Sequence, residues 1–137
     1  MPSLKKVSLE VMRKLTFRKE ERLNKEIWIQ ELFKRGSSFH LYPFKVLYLP
    51  NPDTQSIIHQ VMISVSSRKF KRAVDRNVIK RRIREAYRLN KQNISTSQPW
   101  LIAYIYIAKE ILPSSIIHEK LPLTFETLNA KRQDKHV

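Results

Sequence analysis

The run WLIAYIYIA, residues 100–108, narrows the possible folds more than any other stretch of the chain. It carries no charge and is dominated by aromatic and β-branched side chains. A near-continuous apolar run of this kind reads as a strand covered on both faces, at the centre of a sheet. Trp100, Tyr104 and Tyr106 are therefore assigned to the core.

The flanking segments supply what covers such a strand. RLNKEIWIQELFKRGSS reads as a helix, with Asn24 capping its start and Gly36, the one glycine of the chain, ending it in the left-handed conformation. FHLYPFKVLYL and SIIHQVMISVSS are two strand-like runs, and PNPDTQ between them has turn chemistry, so the simple expectation is a hairpin. A second helix runs from about Val74 to Asn90. A third begins with Ser114 or Ser115 as its cap and runs to about Ala130. It carries Ile117, Leu121, Phe125 and Leu128 on one side, and Pro122 should kink or divide it. The order is α-β-β-α-β-α, an α+β sandwich built on one small sheet. Residues 1–15 read as a flexible arm, 16–130 as one domain and 131–137 as a frayed tail. MRKLTFRKEERL, from Met12, reads equally well as a beginning.

The second helix carries the function. The chain has 27 Lys and Arg against 12 Asp and Glu, a net charge of +15. Across residues 68–91 the basic residues outnumber the only acids, Asp75 and Glu85, so heavily that nine of those fifteen charges fall there. At roughly 100° per residue, Ile79, Ile83, Ala86 and Asn90 form a stripe with Tyr87 beside it, able to dock on the sheet. Ala73, Asn77, Lys80, Arg81, Arg84 and Arg88 form a broad second face, and Arg76 and Arg82 flank the stripe and should lie flat along its edges. A solvated face ordinarily mixes signs, because opposite charges three or four residues apart attract. Here like charges recur at that spacing, as in Lys80 with Arg84. Phosphates that neutralise them would release condensed counterions, and arginine's planar fork suits phosphate. A membrane-surface helix fits less well, because the narrow apolar stripe is needed for the core. Composition does not choose between DNA and RNA.

Absences bound the rest. There is no cysteine, hence no disulfide or thiolate metal site. No apolar run is long enough for a membrane span or resembles a secretory signal, so a soluble cytoplasmic protein is expected. His40, His59, His118 and His136 show no metal-ligand spacing. The acids form no general acid–base pair; Glu20, Glu21 and Glu26 read as surface charges and Asp53 as a turn residue. One glycine cannot build a phosphate-cradling loop. No catalytic residues and no cofactor held by the protein alone are expected.

VSSRKFKRAVDRNVIKRRIREAYR resembles the signature of the bacterial ribonuclease P protein component, and the first helix with its glycine, and IYIAKE, resemble that family in the same order. The resemblance implies an α-β sandwich with a left-handed β-α-β crossover. It also implies a ribonucleoprotein endonuclease that removes the 5′ leader of precursor tRNA. In that family a catalytic RNA with bound Mg2+ does the cutting, while the protein holds that RNA and the leader. Carried over by position, Arg76, Asn77, Lys80, Arg81 and Arg84 match the RNA-contacting helix, and Arg88 extends its face. Ser66, Arg68 and Lys69 match the lead-in to it. Ile29, Phe33 and Tyr48, the last allowing one inserted residue, match the leader-binding cleft between first helix and sheet. Val78 stands where the family has a second arginine, and Ile29 where it has an aromatic ring. Phe44 is assigned to the core. Two other readings stay open: a ribosomal or other structural RNA-binding protein without a processing role, and a stand-alone nuclease, which the missing carboxylate cluster disfavours.

Overall fold

A computed structural model of the chain describes residues 17, 19–52, 58–94 and 99–134. The elements in chain order are α1 (Glu26–Arg35), β1 (Ser37–Leu41), β2 (Phe44–Pro50), β3 (Gln60–Val65), α2 (Ala73–Asn90), β4 (Trp100–Tyr106) and α3 (Ser114–Asp134), with single 3-10 turns at Lys19–Glu21 and Lys91–Asn93. The strands form one sheet in the order β1-β2-β4-β3. Helix α1 lies on one face, and α2 and α3 lie on the other. This is the expected α+β sandwich. The apolar run is its β4, with Leu101 to Tyr104 all buried and a neighbour on either side.

Alternation along β4 divides the interior into two cores. Trp100, Ile102, Tyr104 and Tyr106 face α2 and α3, where they meet Phe44, Val46, Tyr48, Ile79, Ile83 and Phe125. Leu101 and Ala103 face α1, where they meet Leu32, Leu47 and Leu23. The predicted stripe of α2 is the buried one: Ile79, Ile83, Ala86 and Tyr87 are all buried, and half-buried Asn90 donates back to the Ala86 carbonyl at 2.8 Å.

Strand pairing departs from the expected hairpin. The stretch 39–49 is not one strand. It breaks at Tyr42-Pro43, and β1 and β2 pair with each other antiparallel, Leu41 opposite Phe44. β2 and β3 never pair, because β4 lies between them, antiparallel to β2 and parallel to β3. The β3-α2-β4 unit is thus a parallel crossover, consistent with the one the resemblance implies. The turn-like residues 50–55 connect two strands that a third separates; local turn chemistry cannot report that insertion.

Three terminal expectations also change. Asn24 does not cap α1; Lys25 occupies that position without a side-chain bond. Gly36 is not left-handed, with φ −64° and ψ 147°. Its requirement is space: a Cβ there would lie 2.3 Å from the Leu32 carbonyl oxygen. Helix α3 passes through Pro122 unbroken and reaches Asp134, beyond the expected end. Ile117, Leu121, Phe125 and Leu128 are fully buried along it. Burying each is worth about 1.5–3 kcal/mol, which together outweighs the roughly 3 kcal/mol cost of an internal proline. The arm assigned to residues 1–15, together with Asp53 and His136, lies outside the described residues.

Candidate nucleic-acid interface

Docking the Ile79–Ile83–Ala86 stripe turns the opposite side of α2 to solvent. Asn77, Arg81 and Arg84 are exposed there, and Lys80 is half-buried beside them. No carboxylate pairs with Lys80, Arg81 or Arg84 among the described residues. Asn77, Val78, Lys80, Arg81 and Arg84, with Val74, line a shallow hollow along the helix. Val78 makes part of that hollow apolar.

Apart from the Arg68 side chain, the remaining predicted contacts are engaged inside the protein. Arg76 is half-buried, and its Nη1 donates to the carbonyls of Phe70 at 2.8 Å and Lys71 at 3.0 Å. Arg82 likewise donates to the Leu112 carbonyl at 2.7 Å. Both lie back along the edges of the docked stripe, as their angular positions require. Arg88 bonds Glu85 at 2.7 Å, and that bond holds the Glu85 carboxyl below its ordinary range. Lys69 donates through Nζ to the Ile107 carbonyl at 3.2 Å. Ser66 Oγ accepts the N–H groups of Arg68 and Lys69, shaping the turn that leads into α2. Among the described residues, the cations of this region without a partner are therefore Arg68, Lys71, Arg72, Lys80, Arg81 and Arg84.

One cation was invisible to the sequence reading. Arg22 lies far from α2 in the chain, yet it sits with Lys80 and Arg84 around a second hollow whose apolar lining includes Phe17, Met62 and Ile63. The segment before α1 runs along the outer edge of β3, with Arg22 bridging Val61 and the Leu23 N–H donating to the Val61 carbonyl at 3.0 Å. The Arg22 guanidinium lies 5.7 Å from the Phe17 ring centroid. Glu21, expected as a surface charge, is instead mostly buried and bonds Lys91 at 2.7 Å, which ties this segment to the end of α2. No spacing rule links residues so far apart.

The cleft residues separate. Ile29 is half-buried against the α1 core, and Phe33, one helical turn on, is 51% exposed. Tyr48 does not join them. It is buried on the opposite face of the sheet, with its ring edge-on to Trp100 at 5.5 Å. The inserted residue assumed for the first strand is the cause, since a slip of one position moves a side chain to the other face. On β2 it is Leu47, with half-buried Leu49 beside it, that packs on the α1 side. Lys45, Ile105 and Ser64 are in register across β2, β4 and β3 on that same face, and all three are half-buried. Phe44 is core, as expected.

Among the described residues no three His, Cys, Asp or Glu side chains cluster as metal ligands would. His59 is buried and structural; its Nδ1 accepts the Trp100 N–H at 2.9 Å. No helix among the described residues is long and apolar enough to cross a membrane.

A sandwich with single-signed, unpaired cations on one helix and on the segments beside it defines a basic α+β protein suited to a polyanion. The chain belongs to the Ribonuclease P family, whose sequence model matches residues 17–116. It is 41% identical over 73 residues to the Ribonuclease P protein component of Porphyromonas gingivalis, an alignment covering 53% of this chain and 53% of that protein. The chain thus spans about half the length of that curated relative. In structure it is similar to an RNase P protein mutant from Staphylococcus aureus (TM-score 0.68, 28% identity, 80% of this chain and 89% of the other). It is also similar to the RNase P protein from Thermotoga maritima (TM-score 0.66, 28% identity, 78% and 96%).

Proposed function

We propose that the chain is the protein subunit of a ribonuclease P ribonucleoprotein and promotes removal of the 5′ leader from precursor tRNA. The observation that carries this reading is the set of unpaired cations Lys80, Arg81 and Arg84 on α2 in a chain of this family. In this reading they bind phosphates of the catalytic RNA, with Asn77 and the 66–72 turn beside them. The leader lies in the cleft on the α1 side of the sheet. Phe33 offers a ring for a base, Ile29 an apolar wall, and Lys45 a cation near the leader's backbone. Stacking of this kind is worth roughly 1–3 kcal/mol per base. In this reading the RNA subunit holds Mg2+ and supplies the cutting chemistry, and the protein binds and orients.

The test is precursor-tRNA cleavage with the protein alone, the cognate RNA alone and both together at low salt and low magnesium. Cleavage only, or far faster, with both supports the proposal. Cleavage by the protein alone, or no stimulation of the RNA, overturns it. A structural RNA-binding protein would bind without stimulating.

A further inference from the structure

The turn between β3 and α2 concentrates positive charge where like-charge repulsion works against a single conformation. Arg68, Lys71 and Arg72 are exposed and lack carboxylate partners among the described residues. A short loop of like charges repels itself and samples many conformations, and each must be abandoned when a partner binds. Yet this loop is staked down. The Ser66 carbonyl accepts the Phe70 N–H at 3.0 Å. Phe70 is buried, its ring 5.9 Å from that of Tyr106. The connection that spans the outgoing half of the loop comes from the first turns of α2, where Arg76 Nη1 binds two successive carbonyls, those of Phe70 and Lys71.

We infer that Arg76 is a positioning residue for RNA assembly, acting through the cations of the 66–72 turn rather than as a phosphate ligand itself. This rests on the functional reading above and refines it. Both hydrogens of Nη1 are directed at the two carbonyls, and the side chain is drawn back toward the turn, away from the face that carries Arg81 and Arg84. The carbonyls belong to the residues that precede and carry the Lys71 side chain and lead directly into Arg72. Fixing them fixes the backbone from which those two cations project. The class of ligand is the phosphodiester backbone of folded RNA, met by a cluster arranged before it arrives.

The test is binding of the full chain to the cognate catalytic RNA over a range of salt concentrations. It uses wild type, Arg76→Ala, the triple variant Arg68→Ala/Lys71→Ala/Arg72→Ala, and the quadruple variant. A phosphate ligand removed singly lowers the slope of log affinity against log salt by about one. A positioning residue lowers it by roughly two or more, because several contacts weaken together. We expect Arg76→Ala to reduce affinity about tenfold or more in the wild-type background and less than about twofold in the triple variant, the non-additivity of residues that act through one another. In the free protein, the amides of Arg68, Lys69 and Phe70 should exchange faster in Arg76→Ala while the melting temperature stays close to wild type. Fold-losses that multiply, with a slope change of about one and unchanged exchange, would make Arg76 a direct ligand and overturn the inference. Should the alanine variant fail to fold, Arg76→Gln, which keeps most of the stem, is read by the same cycle. If wild type binds the cognate RNA no better than an unrelated folded RNA, and Arg81→Ala and Arg84→Ala change nothing, the functional reading fails and this role falls with it. Intact wild-type binding with multiplying losses removes the role alone.

Discussion

Arg76 and Arg81 belong to the same helix and the same basic motif, yet one is tied to two backbone carbonyls and the other faces solvent with no partner among the described residues. Residue type therefore does not decide role here; the angular position relative to the docked stripe does. The aromatic pair Phe33 and Tyr48 makes the same point. Tyr48 is buried between Phe39 and Trp100, so Tyr48→Ala should destabilise the protein by about 3–5 kcal/mol, as large aromatic truncations in cores do. Chemical denaturation will measure it. Phe33 is half exposed, and Phe33→Ala should change stability by less than roughly 1 kcal/mol. If Phe33 stacks on the leader, the same variant should weaken binding of leader-bearing tRNA several-fold and leave mature tRNA unaffected. Equal losses for both substrates would remove Phe33 from the leader site.

The elements were legible where their periodicity is strong. α2 declares its buried stripe through Ile79, Ile83 and Ala86, and α3 through Ile117, Leu121, Phe125 and Leu128. What local pattern could not reveal is partner choice among strands. The runs that became β2 and β3 look like neighbours because they are consecutive, but β4 inserts between them and pairs with both. Gly36 was singled out for the wrong reason. Its backbone is in the extended region, and the constraint is the Leu32 carbonyl against the space a Cβ would fill. Because that neighbour is backbone, Gly36→Ala must displace the end of α1 or the start of β1. A loss of roughly 1–3 kcal/mol in denaturant unfolding is expected, within the usual range for a packing clash.

The molecule as a whole carries +15 on a frame whose interior tyrosines resist ionisation. Burial pushes Tyr104 and Tyr87 well above the ordinary phenol range, and Tyr106 upward as well. A phenol near pKa 10 in the unfolded chain loses its proton first there, so the unfolded state binds fewer protons as pH rises. The stability these groups contribute is complete below about pH 10 and is lost as pH climbs from there toward their folded values. The ring resonances of these three tyrosines, followed by NMR against pH, should therefore change to the phenolate form only as the protein unfolds; ionisation of these rings in a still-folded protein would contradict their burial. The charge excess also predicts that affinity for any nucleic-acid polyanion falls steeply with salt, each neutralised phosphate adding to the slope.

Charge count and hydrophobic period were enough to indicate a basic amphipathic helix, a central apolar strand and a sandwich around it, because those properties depend on residues near one another in the chain. Which cations stay free, that Arg22 joins them, and which face of the sheet receives Tyr48 were settled only by the folded chain. Those outcomes depend on carbonyls, strand edges and helix surfaces that distant segments bring into contact, and no local pattern carries that information.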